Sequence, residues 1–234
     1  VKSALLGIPV NAFQYAGWER RLEEVQMVRK WLRWDELTFD REVVAITIAS
    51  TLLLMVAYYF PPTPVSAVNS LALYLLIPVA MILIGFRKRL REYGFTLGDW
   101  KAGLVITGGA ILIMAPILWL IGRGDASMRQ YYSWQATRIM PLMTGLDLIG
   151  WEFFFRGFIL FGYERKFGVH ALWLQAVPFA LAHISKPAVE TLSTIFGGFA
   201  FGWVAWRTRS FLYPFLIHWF VSAFTVLVAA GLLG

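Results

Sequence analysis

Seven stretches of the chain are almost unbroken runs of apolar residues: 43–60, 67–86, 103–122, 139–162, 169–185, 188–206 and 211–233. A helix crossing ~30 Å of hydrocarbon needs about 20 residues, at roughly 1.5 Å each. Most of the runs meet that length, and the fifth is the shortest. The pattern predicts an all-α membrane protein, a bundle of about seven transmembrane helices. Pro61-Pro62 is expected to stop the first helix, because proline has no N–H for the helix ladder. Gly198 and Gly202 form a GxxxG step that predicts close packing of the sixth helix on a neighbour.

Residues 1–42 follow a different rule. Val1 to Ala16 is mildly apolar, whereas Trp18 to Arg41 mixes Arg and Glu with Val25, Val28, Trp31, Leu32 and Trp34. That spacing suits an amphipathic interfacial helix lying on the membrane surface; a soluble cap helix fits as well. The expected organisation is an N-terminal interfacial segment at 1–42 and one transmembrane domain at 43–234. The first residues show no charged-then-apolar cleavable pattern, so the first spanning helix is expected to direct insertion.

Charge sharpens this picture. Of 234 residues, 59% are hydrophobic and 15% charged, too few charges for an ordinary soluble domain, and the aromatic residues suit membrane interfaces. The net charge of +7 raises the question of nucleic acid, but the placement of the basic residues answers it. With the N-terminus inside, the inner segments hold sixteen Lys and Arg: the N-terminal region, Arg87 to Lys101, Arg165/Lys166 and Arg207/Arg209. The outer segments hold four: Arg123, Arg129, Arg138 and Lys186. Such asymmetry obeys the positive-inside rule, places the N-terminus in the cytoplasm and assigns the excess charge to orientation and lipid contact rather than nucleic acid. Cysteine is absent, which excludes disulfides and thiolate metal sites.

Ionisable side chains inside a span are costly and call for a reason. Glu152 and Arg156 lie four apart in the fourth run, on one helical face, and are expected to pair. His183 ends the fifth run and His218 lies in the seventh, while His170 falls at a predicted interfacial position. A carboxylate and an imidazole facing one cavity can share the activation of a water molecule. A second imidazole, with the Ser222 hydroxyl one turn beyond His218, can donate to a developing oxyanion. The bland alternative is a self-neutralising ion pair with packed histidines. Glu with two His is also a zinc-like set, but no HExxH arrangement is present, and acid–base chemistry is the preferred reading, with no metal and no cofactor. Thr144 and Gln175 read as packing hydrogen bonds, and Glu190 as a helix-start carboxylate.

Trp151-Glu152-Phe153-Phe154-Phe155-Arg156-Gly157, then Phe179 through His183, then His218 in the last run, resemble the CPBP family of CAAX prenyl proteases and bacteriocin-processing proteins, which are glutamic-type intramembrane endopeptidases. The resemblance covers a core at about 139–225. It includes Lys186-Pro187, Glu190 and the Arg207 to Ser210 turn. It implies that His183 helps activate the water, that Arg156 orients Glu152, and that His218 helps form the oxyanion hole. Two positions depart from the family pattern EExxxR, FxxxH, HxxxN/D. Trp151 stands where the first, water-activating Glu belongs, and Ser222 replaces the last Asn or Asp. Asp147, one turn before Trp151, is a candidate for a substitute carboxylate; its alternatives are a bundle-facing polar residue or a partner for Arg156.

Three functions follow as expectations. The first is an intramembrane endopeptidase acting on a membrane-associated peptide or protein, lipidated or not, with Glu152 in place of the missing base. The second is a catalytically inactive relative serving as a scaffold or as a peptide-binding or immunity protein. The third, a proton-coupled carrier, would call for a second buried acid–base pair in the first three runs, and none is present there. The resemblance further implies a multi-pass protein of the prokaryotic cell (inner) membrane, in contact with its lipids. The Phe153 to Phe155 run either lines a lipid-facing cavity or faces acyl chains, and the second is the expectation.

Overall fold

The computed structural model describes residues 12–233 and consists of helices and connections, with no strand among the described residues. The chain divides into two compact units, up to Asp40 and from Arg41 onward. The first contains helix α1 (Ala12–Trp31) and a 3-10 turn over Trp34–Glu36. The left-handed backbone of Arg33, at φ 50°, separates them, and its guanidinium donates to Glu36 at 2.8 Å. Trp18, Leu22, Val25 and Val28 are exposed on α1. Most of the mildly apolar stretch at 1–16 lies outside the described residues.

The second unit is the bundle. Its helices are α2 (Arg41–Tyr59), α3 (Ser66–Gly85), α4 (Trp100–Gly124), α5 (Ala126–Tyr132), α6 (140–167), α7 (Ala171–Leu181), α8 (Ala188–Thr208) and α9 (Leu212–Ala229). Five of these, α2, α3, α4, α8 and α9, are long and apolar enough to cross a membrane. Of the expected count of about seven, five are found on length and composition, and α6 and α7 are helices of another kind. Helix α6 has the length but carries Asp147, Glu152 and Arg156. Helix α7 has 11 residues, about 16 Å, roughly half the hydrocarbon thickness. Exposed Leu104, Val105, Leu112 and Ile113 on α4 give the bundle an apolar outside, as lipid contact requires. This is an integral membrane protein.

Helix α2 stops at Tyr59, just before Pro61-Pro62. Asn69 closes the following loop on itself: its side chain accepts from the Thr63 amide at 2.8 Å and donates to the Thr63 carbonyl at 2.7 Å. Helix α6 stands in the middle. Phe153, Phe154 and Phe155 are each 0% exposed. Three consecutive helical residues point about 100° apart, so burying all three requires neighbours on every side. The expectation that this run faces acyl chains is overturned. The backbone there is a π-helical turn over Phe153–Ile159, a widened form that tends to mark functional sites.

Glycines set the closest crossings. Gly150 of α6 lies against the Ser70 backbone of α3, and Gly103 of α4 lies against the Tyr213 ring of α9. Gly198 and Gly202 on α8 receive Ala176, Phe179 and Gln175 of α7. Gln175 fastens the same contact, donating to the Leu172 carbonyl at 2.9 Å and to Gly198 at 2.7 Å. Both expectations, GxxxG for packing and Gln175 as a packing hydrogen bond, agree with this geometry. Leu at position 202 would have to displace the buried Gln175 amide. Gly202→Leu is expected to cost about 2 kcal/mol by overpacking, read as a lower unfolding midpoint in detergent.

The connections rich in Arg and Lys meet at one end. Glu42, at the start of α2, pairs with Lys88 and with Arg165 at 2.6 Å. Glu164 pairs with Arg209 at 2.7 Å, and Asp99 with Arg207 at 2.9 Å. Asp99 also caps α4 by accepting from the Ala102 amide at 3.1 Å. The Arg207 guanidinium, followed by that amide, holds the Asp99 carboxyl below its ordinary range. The start of α2 and the segments around Lys88 to Asp99, Glu164 to Arg165 and Arg207 to Arg209 thus share one end of the bundle.

Candidate active site

The chemistry is built around α6. Glu152 and Arg156, one turn apart and each 0% exposed, form the pair expected from their spacing, with Arg156 Nη1 donating to Glu152 Oε1 at 3.1 Å. The same carboxylate oxygen lies 2.6 Å from His218 Nδ1 on α9. A carboxylate accepts, so Nδ1 carries the proton and the lone pair of a neutral His218 ring is at Nε2. One oxygen thus binds two donors from two helices. Glu152 Oε2, Arg156 Nε and Arg156 Nη2 are buried without a protein hydrogen-bond partner. The flat guanidinium instead rests on aromatic faces, its carbon 3.9 Å from the centre of Phe179 and 5.1 Å from that of Phe201.

His183 arrives by a different route. Helix α7 ends at Leu181, and His183 sits in the turn leading to α8. That turn is held by the Thr191 hydroxyl donating to the His183 carbonyl at 2.6 Å. The imidazole folds back on its own helix, with Nδ1 2.7 Å from the Phe179 carbonyl. A carbonyl can only accept, so Nδ1 again holds the proton and Nε2 the lone pair. The Phe179 ring packs against both imidazoles, 4.6 Å from His183 and 5.7 Å from His218. Straight spans would leave His183 far from the other two. The early end of α7 and the reversal after it remove that difficulty.

Glu152, Arg156 and His218 are therefore in direct contact, and His183 is one aromatic ring away. Ser222 lies half-buried one turn past His218 and makes no side-chain hydrogen bond among the described residues; His218 Nδ1 faces Glu152. Trp151 is half-buried, with its indole 5.7 Å from the His183 ring, 5.6 Å from Tyr74 and 5.5 Å from Phe155. Asp147 accepts from Ser66 at 3.0 Å and from Ser70, both on α3, and does not pair with Arg156. Glu190 is more than a helix-start charge: it accepts from Tyr132 at 2.5 Å and from Lys186 at 2.8 Å. His170 is exposed, as an interfacial residue would be. Thr144 is half-buried. Among the described residues, no group of three His, Asp or Glu is placed to hold a metal ion.

Beside this cluster lies a cavity of about 650 Å³ between α2, α3, α6 and α7. Trp151 and Tyr74 form part of its wall; Glu152, His183 and His218 do not line it. Sequence reasoning missed the cavity and its Tyr58, Tyr59 and Tyr74 rings. The only signal was Tyr residues at the ends and middles of spans, which lipid interfaces also produce.

Residues 133–224 match the family described as Type II CAAX prenyl endopeptidase Rce1-like. That stretch contains Trp151, Glu152, Arg156, His183, His218 and Ser222. No curated protein and no solved structure matches the chain.

Proposed function

We propose, from an Rce1-like stretch of the CPBP type embedded in a membrane bundle, that this chain is an intramembrane endopeptidase whose acid–base centre is Glu152 with His218 and His183. The observation that carries the reading is the buried Arg156–Glu152–His218 chain, in which one carboxylate oxygen takes two donors and the other takes none. Arg156 holds the carboxylate in place. A water proton passes to Glu152 or directly to an imidazole Nε2, while the water oxygen bonds to the peptide carbonyl carbon. The resulting oxyanion is stabilised by Arg156, whose Nε and Nη2 have no protein partner. The C–N bond then breaks, and the proton leaves on the amine. His218 and Arg156 remain hydrogen-bonded to Glu152 throughout, so the centre needs no large rearrangement.

The substrate is a peptide or protein segment at the membrane, lipidated or not, approaching through the cavity that Trp151 bounds. Sixteen basic residues against four favour a cytoplasmic N-terminus, and a prokaryotic cell membrane is the proposed location. The test is cleavage of a panel of membrane peptides by the purified chain. The expected result is activity in wild type that is lost in Glu152→Gln and in His183→Ala, with both variants folded by their unfolding midpoints. Equal inertness of all three proteins would overturn the enzyme reading.

One observation favours a second reading. Trp151 fills the position where the resemblance puts the water-activating Glu, and its ring stands between the cavity wall and His183. A binding protein that retained the cavity and lost the chemistry would have this arrangement. That same panel decides between them, because such a protein binds peptides and cuts none.

A further inference from the structure

The cavity of about 650 Å³ and the acid–base centre meet at one side chain. Trp151 lines the cavity, and its indole also packs edge-to-face on the His183 imidazole, 5.7 Å away at an interplanar angle of 74°. Pro178, Leu181 and Ala182, which lead into His183, line the same wall, whereas Glu152, His183 and His218 do not. His183 is only 4% exposed and His218 6%. The indole is held loosely. Its other ring contacts are Phe155 at 5.5 Å, Tyr74 at 5.6 Å and Phe179 at 6.4 Å, and such aromatic contacts are weak one by one. Trp219 is tied through its N–H to the Pro141 carbonyl at 2.7 Å; the N–H of Trp151 makes no such bond among the described residues. On the cavity side the ring meets open space of the size that holds a small molecule, which leaves room for it to turn.

We propose that Trp151 governs passage between the cavity and the acid–base centre. With the indole as it stands, His183 is walled off; when the indole turns into the cavity, the two spaces become one cleft. The assignment rests on the peptidase reading above, to which it adds the route by which a peptide segment reaches His183. The wall contains no Asp, Glu, Lys, Arg or His, so the segment that enters is uncharged, because a buried charge without a partner is costly. Size then decides entry, and Trp151 is the side chain that sets it.

The test is acylation of the three histidines by diethyl pyrocarbonate in the full chain in detergent, with each site quantified by peptide mass spectrometry. Wild type is expected to react readily at exposed His170 and slowly at His183 and His218. A minor open state is populated at about 10% or less, so Trp151→Ala, which leaves the passage open throughout, should raise the His183 rate about tenfold or more. His170 and His218 should keep their rates. Trp151→Phe retains a smaller ring in the packing and should show a smaller rise at His183, which answers the same question if the alanine variant does not fold. A wild-type His183 that reacts as fast as His170, or a rise in neither variant, would overturn the proposal. An equal rise at His183 and His218 would also overturn it, because that marks a loosened bundle rather than an opened passage. Labelling needs no cleavage, so the two readings fail separately. The expected labelling in a chain that cuts nothing sinks only the peptidase reading, whereas cleavage with unchanged labelling sinks only this one.

Discussion

Arg156→Met is expected to destabilise the bundle by about 3–5 kcal/mol, the usual cost of stranding one member of a buried ion pair. Glu152 and Arg156 are both 0% exposed, so water cannot take over for the lost guanidinium. Methionine has nearly the right length and removes the charge, which separates electrostatics from packing. Glu152 would retain only the His218 donor at 2.6 Å. The contact between the guanidinium and Phe179, at 3.9 Å, is lost as well. Removing both charges should recover most of the loss, because a paired deletion leaves no orphaned ion. Denaturant unfolding of wild type, both single variants and Glu152→Met/Arg156→Met in detergent measures this. A single-variant loss below about 1 kcal/mol would mean that the pair is solvated, contrary to its burial.

Gly150→Leu is expected to cost about 3 kcal/mol and to spoil the site at a distance. A Cβ at this position would stand 2.5 Å from the Ser70 carbonyl oxygen and 2.8 Å from its carbon. Those are backbone atoms, which cannot swing aside as a side-chain tip can. The displaced α3 would carry Ser70 away from Asp147 and Tyr74 away from Trp151, whose rings lie 5.6 Å apart. The measurable signs are a lowered unfolding midpoint and a loss of peptide binding larger than the change in stability explains. Unchanged stability would show that the α3–α6 crossing is looser than the structure has it.

Periodicity was informative wherever a local rule governed. The Glu152–Arg156 pair followed from a spacing of four, the end of α2 from Pro61-Pro62, and the packing of α8 from Gly198 and Gly202. Long-range choices were hidden. A spacing cannot say that His218 would turn to Glu152 rather than to Ser222, because that depends on how α9 is rotated against α6. Nor does the run at 169–185 reveal that its helix ends at Leu181, since Ala182 and Ile184 carry the apolar pattern past it. The Phe153 to Phe155 run misled for a related reason. A phenylalanine prefers lipid and protein interior about equally, and only the number of neighbours around α6 distinguishes them. Asp147 was visible as an oddity, but its serine partners lie 81 and 77 residues earlier, beyond any local pattern.

The widened turn over Phe153–Ile159 also fixes the register of everything after it. A π turn accommodates an extra residue relative to an α-helix, and each residue rotates the helix by about 100°. Deleting one residue from this turn would let it relax to ordinary winding and swing Glu164 and Arg165 around the axis. Their links to Arg209 at 2.7 Å and to Glu42 at 2.6 Å would then point at the wrong neighbours. The coil that shapes the buried acid–base centre therefore also acts as the angular key for the charged clasp at the far end of the same helix.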